Sequence, residues 1–318
     1  MILQMRTEGI HHITAIVGNP QENVDFYAGI LGLRMVKKTV NFDDPGTYHL
    51  YFGNEEGSPG TIMTFFPWPN AYKGQAGSGQ VGITSFSVPV GSMPFWEDRL
   101  EKFHVNSEHI TRFGEDYLVF EDPHGLQLEL VEREDGQTSR WSYGGVPAEF
   151  AIKGFGGAVL LSGNPKATED VLSQVLGLTK IGEDGEFARF KARGNLGNII
   201  DVKLTSLSPG SIGVGTVHHI AWRAEDFEDH EKWREYVQQA GYGVTPIRDR
   251  QYFNAIYFRE RGGILFEIAT DPPGFTRDET ADKMGSSLLL PPWLEPRRQE
   301  IQSRLLPAEA RVLKEDTL

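Results

Sequence analysis

The sequence predicts an α+β protein made of four units, each a strand, a helix and then several strands, set out as two tandem halves. Three observations predict it. NPQENVDFYAGILGLRMV, from Asn19, is echoed by NPKATEDVLSQVLGLTKI, from Asn164, at an offset of 145. Each half then carries a second segment that reads as strand and amphipathic helix, ITSFSVPVGSMPFWEDRLEKFHV and HHIAWRAEDFEDHEKWREYVQQAGYGV. Each half closes with a strand after a turn, DPHGLQLELVE and ERGGILFEIAT. Such self-similarity is the mark of a repeated supersecondary unit.

The elements follow in order. The first unit opens near residue 9 with GIHHITAI. Its helix starts at Asn-Pro, an N-cap followed by proline at the first helical position. It ends at Leu-Gly-Leu, whose glycine suits the left-handed position after a helix. The second unit opens near residue 82. The third, near 154, repeats the Asn-Pro to Leu-Gly-Leu frame, and the fourth opens near 216. The halves span 8–134 and 152–272, and the polar, turn-rich stretch 135–151 links them. Beyond 272 the pattern stops. The tail, 273–318, holds LPPWLEP and RRQEIQSRLLPAEARVL, expected as a short surface helix packed on the body rather than a lid.

Composition excludes several classes. The chain has 318 residues, enough for two domains with sizeable cores. A net charge of −13 argues against nucleic acid or an anionic membrane as partner. No apolar run approaches the ~20 residues of a membrane span. MILQMRTEG lacks the basic-then-apolar pattern of a signal peptide. There is no cysteine, so disulfides and thiolate chemistry are out. A soluble cytoplasmic protein is expected.

Four of the nine histidines sit in two doublets, GIHHITAI and VHHIAW. Strand side chains alternate faces. In the first strand His11, Ile13, Ala15 and Val17 share the more apolar face, which should meet the helix. His12 and Thr14 then point inward. In the fourth unit Ile220 and Trp222 face the helix, and His219 faces inward. In GGILFEIAT, Glu267 shares a face with Leu265 and Ala269, away from Ile264, Phe266 and Ile268. A carboxylate in so apolar a strand needs a partner or a ligand. Two inward imidazoles and one inward carboxylate match the 2-His-1-carboxylate set of non-haem iron(II) sites, although manganese(II) and zinc(II) accept the same donors. Glu129 holds the equivalent place in the first half. There Ser85 stands where a histidine would be needed, and the third unit begins GFGGAVLLS, so one metal per chain is expected.

HHIT, YHLYFGNEEGSPGTIMTFFP, VHHIAW, DRQYFNAIYFR and GGILFEIAT together resemble the vicinal oxygen chelate superfamily, built from paired βαβββ modules. Within it the chain is similar to the dioxygenases that open para-hydroquinones, including chlorohydroquinone dioxygenases and the Bacillus enzymes of methylhydroquinone and quinone detoxification. The resemblance reaches to about residue 280. It implies an extradiol-type, ring-cleaving enzyme using O₂, with iron(II) on His12, His219 and Glu267, manganese being the second choice. It also implies catalytic His11, His218, Arg250 and Tyr257, with Thr14 binding a small aromatic substrate. The resemblance leaves association into a homo-oligomer open. His11 and His218 strain the face argument, since both should point away from the metal; a bulge would reconcile them. No second basic residue follows Arg250, so contacts to ring substituents are not assigned. Two alternatives share the superfamily: a glyoxalase-like lyase or isomerase, which commonly uses more than one carboxylate, and a metal-free binding protein, which would have lost the histidines.

Overall fold

The structure, a computed structural model, describes residues 4–317; residues 1–3, which open the N-terminal stretch considered above, and residue 318 lie outside it. Unit one holds β1 (Ile10–Val17), α1 (Pro20–Val24), β2 (Arg34–Asn41), β3 (Asp44–Gly53) and β4 (Ile62–Pro67). Unit two holds β5 (Gln80–Val88), α2 (Met93–Lys102), β6 (Ser107–Arg112), β7 (Glu115–Glu121) and β8 (Gln127–Glu132). Unit three holds β9 (Gly154–Leu161), α3 (Pro165–Asp170), β10 (Thr179–Asp184), β11 (Phe187–Lys191) and β12 (Ile199–Lys203). Unit four holds β13 (Thr216–Ala224), α4 (Phe227–Gln239), β14 (Arg248–Asp249), β15 (Phe253–Arg259) and β16 (Leu265–Pro273). The α+β class and the four units are as the repeats predict. None of the described helices is long and apolar enough to cross a membrane.

The strands curl into two eight-stranded cups. One runs β14-β15-β16-β13-β1-β4-β3-β2, the other β10-β11-β12-β9-β5-β8-β7-β6. Unit one therefore joins unit four through antiparallel β1–β13, and unit two joins unit three through β5–β9. The cups are nested in the chain, and each draws on both sequence halves. Their backs and the helices share one apolar core. It contains Ile13, Ala15 and Val17 of β1, Phe86 and Phe155 of the second cup, and Trp96, Leu172 and Trp233 of the helices. The apolar face of β1 thus packs as alternation requires.

The helix signals act as expected. Asn19 accepts from the Gln21 and Glu22 amides, and Asn164 from that of Ala167. Both helices then widen into π-helical turns, over Asp25–Ile30 and Val171–Val175, for which the sequence carries no signal. Gly32 (φ +68°) ends the first, and a Cβ there would lie 2.7 Å from Val146.

In the described tail, α-helix is confined to α5 (Arg298–Gln302), beside short 3-10 turns, and its Ile301 clusters with Val40, Leu290 and Leu294. Pro307 stands in the rest of the amphipathic piece, where it cannot continue a helix. The preceding stretch seals the first cup between its free edges, β2 and β14. Phe275 packs on Tyr51 and Tyr252 with ring centroids 5.1 and 5.2 Å apart. The fully buried Lys37 of β2 donates to Asp278 at 2.8 Å and to Glu279 at 2.5 Å.

Candidate metal centre

In the first cup the Nε2 atoms of His12 and His219 lie 3.3 Å apart. Glu267 Oε2 lies 3.4 Å from the first and 2.9 Å from the second. All three side chains are buried, and among the described residues neither Glu267 oxygen has a well-aligned hydrogen-bond donor. Two imidazole nitrogens and a carboxylate oxygen facing one point are the donor set of a divalent cation, and they fit it better than they fit one another. Burial alone would raise the Glu267 pKa, but the two imidazoles hold it well below the carboxylate range. Burial pushes the His219 pKa down despite the pull of Glu267, which favours the deprotonated imidazole that binds a metal.

The doublets owe their use to two bulges. In the β1–β13 pairing, Ile10 faces Trp222 and His12 faces Ala221, so His11 is the extra residue. Further along, Thr14 faces His219 and Ala15 faces Val217, so His218 is extra. A bulge re-aims a side chain that alternation would turn away. His11 Nδ1 accordingly lies 2.9 Å from His12 Nδ1, and His218 Nδ1 lies 2.8 Å from His219 Nδ1. When Nε2 of a ligand histidine binds metal, its Nδ1 carries the proton and needs an acceptor. The bulged histidines supply it. Burial keeps His11 well below its ordinary pKa, and burial with His219 brings His218 to about 3.

Beside the three ligands lies a cavity of about 270 Å³ lined by His49, Tyr51, Phe66, Trp68, His218, Arg250, Phe253 and Tyr257, with Asn41, Phe42 and Asp43. It is smaller than the ~300–1,000 Å³ of drug-sized sites, as suits a single ring. Arg250 Nε donates to the Tyr257 hydroxyl at 3.2 Å. Burial and Glu267 push the Tyr257 pKa up, so its hydroxyl stays protonated. Thr14 and His11 do not line this cavity. Thr14 stands behind it, its hydroxyl 2.8 Å from that of Thr64, which is 2.8 Å from His49 Nε2. Tyr51 completes the chain, 2.8 Å from His49 Nδ1. His49, Tyr51 and Thr64 were missed as site residues. Period-two spacing places His49 beside Tyr51 on one face of β3, and that was the available signal. Among the described residues none of the tail lines this cavity, and its sealing residues pack behind Tyr51 and Tyr252.

The second cup has the same frame without the ligands. Its bulges fall on Gly82 and Gly156. Ser85 pairs with Glu129 as Ala221 pairs with Glu267. The register therefore corrects the sequence alignment: Ile83, not Ser85, stands in the place of His219, and Gly157 in that of His12. Glu129 is neutralised by Arg112, whose Nη2 donates to it at 2.6 Å and whose Nε donates to Asp201 at 2.7 Å. A guanidinium fills the place that a cation would take among the ligands of the first cup.

Residues 9–130 and 154–268 match the Glyoxalase/Bleomycin resistance protein/Dioxygenase superfamily. The chain belongs to that superfamily. It is 62% identical over 308 residues to a Bacillus subtilis protein named "Putative ring-cleaving dioxygenase MhqO", covering 97% of this chain and 99% of the relative. It is 38% identical over 313 residues to the chlorohydroquinone/hydroquinone 1,2-dioxygenase of Sphingobium indicum, covering 95% and 97%. The crystal structure of a Bacillus subtilis protein named "putative dioxygenase" superposes with a TM-score of 0.96 at 62% identity, over 97% of this chain and all of that one. Glyoxalase I from Zea mays, at 12% identity and a TM-score of 0.60 over 83% of this chain and 92% of its own, shares the fold.

Proposed function

We propose that the protein is an extradiol-type, non-haem iron(II) dioxygenase that cleaves the ring of hydroquinones such as methylhydroquinone, in aromatic catabolism or quinone detoxification. The observation that carries it is the convergence of His12, His219 and Glu267 on one point beside an aromatic-lined cavity of about 270 Å³. The relatives' names point the same way. Bound iron supplies the redox chemistry that lets a singlet arene react with triplet O₂, and two histidines with one carboxylate suit it.

The remaining work falls to the chain. Para hydroxyls cannot chelate one metal together, so the cavity must orient the ring. Tyr257, held protonated, donates a hydrogen bond to the substrate oxygen nearest the ligands. Arg250 keeps its charge because Tyr257 and Asp43 outweigh the cost of burial, and it offsets negative charge on the substrate. His218 lines the cavity as a neutral imidazole; with its Nδ1 accepting from His219, its Nε2–H is left to donate a hydrogen bond to a bound substrate. His11 acts from behind, through His12.

Oxygen uptake by iron-reconstituted protein tests this. Methylhydroquinone should show a higher kcat/KM than catechol, and Tyr257→Phe should lower it on the order of 10²-fold, as loss of a preorganised donor does. A clear catechol preference, or turnover of a glutathione adduct alone, overturns the assignment.

A further inference from the structure

The hairpin between β2 and β3 turns at Phe42 and Asp43, at the mouth of the cavity, and both residues line it. The turn is braced. The Asp43 amide donates to Asn41 Oδ1 at 3.0 Å, and the Thr47 hydroxyl donates to Asp44 at 2.8 Å. From outside, Trp293 of the tail meets Phe42 edge-on, with centroids 5.7 Å apart. Arg250 follows β14 on the opposite free edge of the sheet. It reaches across the mouth, and its Nη1 donates to Asp43 Oδ2 at 3.0 Å.

The bonding has a direction. A guanidinium donates and never accepts. The Tyr257 oxygen must therefore accept from Arg250 Nε, which leaves its own proton to point elsewhere. Tyr257 pairs in register with Glu267 across β15–β16, and its ring centroid lies 5.8 Å from that of His219. That O–H faces the side on which the metal ligands converge, toward Glu267. Among the described residues, Asp43 and Tyr257 are the side chains that hold the Arg250 guanidinium by hydrogen bonds.

We propose that Asp43 is a positioning residue: through Arg250 it fixes the direction in which Tyr257 offers its proton to an oxygen of a bound hydroquinone-type ring. The inference rests on the dioxygenase reading above. The Asp43 side chain is 61% exposed, so the pair adds little to stability and its loss leaves the fold intact.

Four iron-loaded variants test it: Asp43→Asn, Asp43→Glu, Tyr257→Phe, and Asp43→Asn combined with Tyr257→Phe. Oxygen uptake with methylhydroquinone and anaerobic binding of 4-nitrophenol, a phenol that is not turned over, are measured for each. Asp43→Asn should lower kcat/KM about tenfold, the size of a lost orienting contact, mostly through KM, since the contact to the phenol oxygen is already made on binding. Iron content and melting temperature should not change, and Asp43→Glu should recover most of the loss. In the Tyr257→Phe background Asp43→Asn should add less than about twofold, because the two act as one unit. 4-Nitrophenol should bind about tenfold more weakly to Asp43→Asn and no worse to the double variant than to Tyr257→Phe. Wild-type kinetics in Asp43→Asn, or an undiminished loss in the Tyr257→Phe background, overturns the proposal. If the wild type consumes no oxygen with any hydroquinone, the dioxygenase reading fails, and the 4-nitrophenol titration still decides the role of Asp43.

Discussion

Replacing Arg112 by methionine removes the cation of the second cup while keeping most of the side chain's bulk. The Glu129 side chain is fully buried, and its other side-chain bond is from the Ser85 hydroxyl. Asp201 keeps Arg189, which donates to it at 2.7 and 2.9 Å. One buried carboxylate thus loses its counter-charge outright and another loses half. Breaking a buried pair from one side costs about 3–5 kcal/mol, because the remaining charge stays desolvated. At roughly 2 °C per kcal/mol for a chain of this size, melting should fall by about 6–10 °C. Adding Glu129→Gln should return part of it. Differential scanning calorimetry measures both, and metal analysis of the same samples should still give one ion per chain, since Gly157 and Ile83 bring no imidazole to this cup. A loss under about 1 kcal/mol, the range of exposed pairs, would refute the view that Arg112 does the cation's work. So would a second bound metal.

The other expectations are simpler. His12→Ala, His219→Ala and Glu267→Ala should each abolish stoichiometric metal binding with the far-ultraviolet circular dichroism unchanged; full metal content in Glu267→Ala would remove it from the ligand set. Lys37→Met should destabilise by about 3–5 kcal/mol in denaturant titrations, since it strands Asp278 and Glu279 at the seam; proteolytic nicking after residue 272 should rise with it. Glu115 is driven to about 2, where burial is overcome by Arg133 and Arg189. Its folded pKa lies below the unfolded ~4.3, so its contribution is present above that value and is lost as pH falls toward 2. Glu115→Gln should flatten the stability–pH curve there, and an unchanged slope would count against the assignment.

The repeats make the units legible in the sequence, and strand alternation singles out His12, His219 and Glu267. Two things were hidden for physical reasons. The bulges at His11 and His218 break the period of two, so alternation turned those rings the wrong way even where the doublet marked the spot. Pairing across the halves carries no local signature, because β1 matches β13 by long-range packing rather than by propensity. Arg112 was invisible for the same cause: nothing near it in sequence says that it meets Glu129. His49 and Tyr51 lay in plain alternation on β3, but their meaning depends on Thr64 and Thr14 from other strands.

The nesting of the cups also bears on the order of folding. Units two and three are neighbours in the chain, with only the linker between them, and their strands can pair as soon as both exist. The metal ligands His12 and His219 are 207 residues apart. Loop closure over such a distance is costly and slow, and pairings of high sequence separation form late. The second cup is therefore expected to form before the first one closes. During synthesis β1 waits with its edge open until β13 is made, so the three candidate ligands come together only at the end of folding.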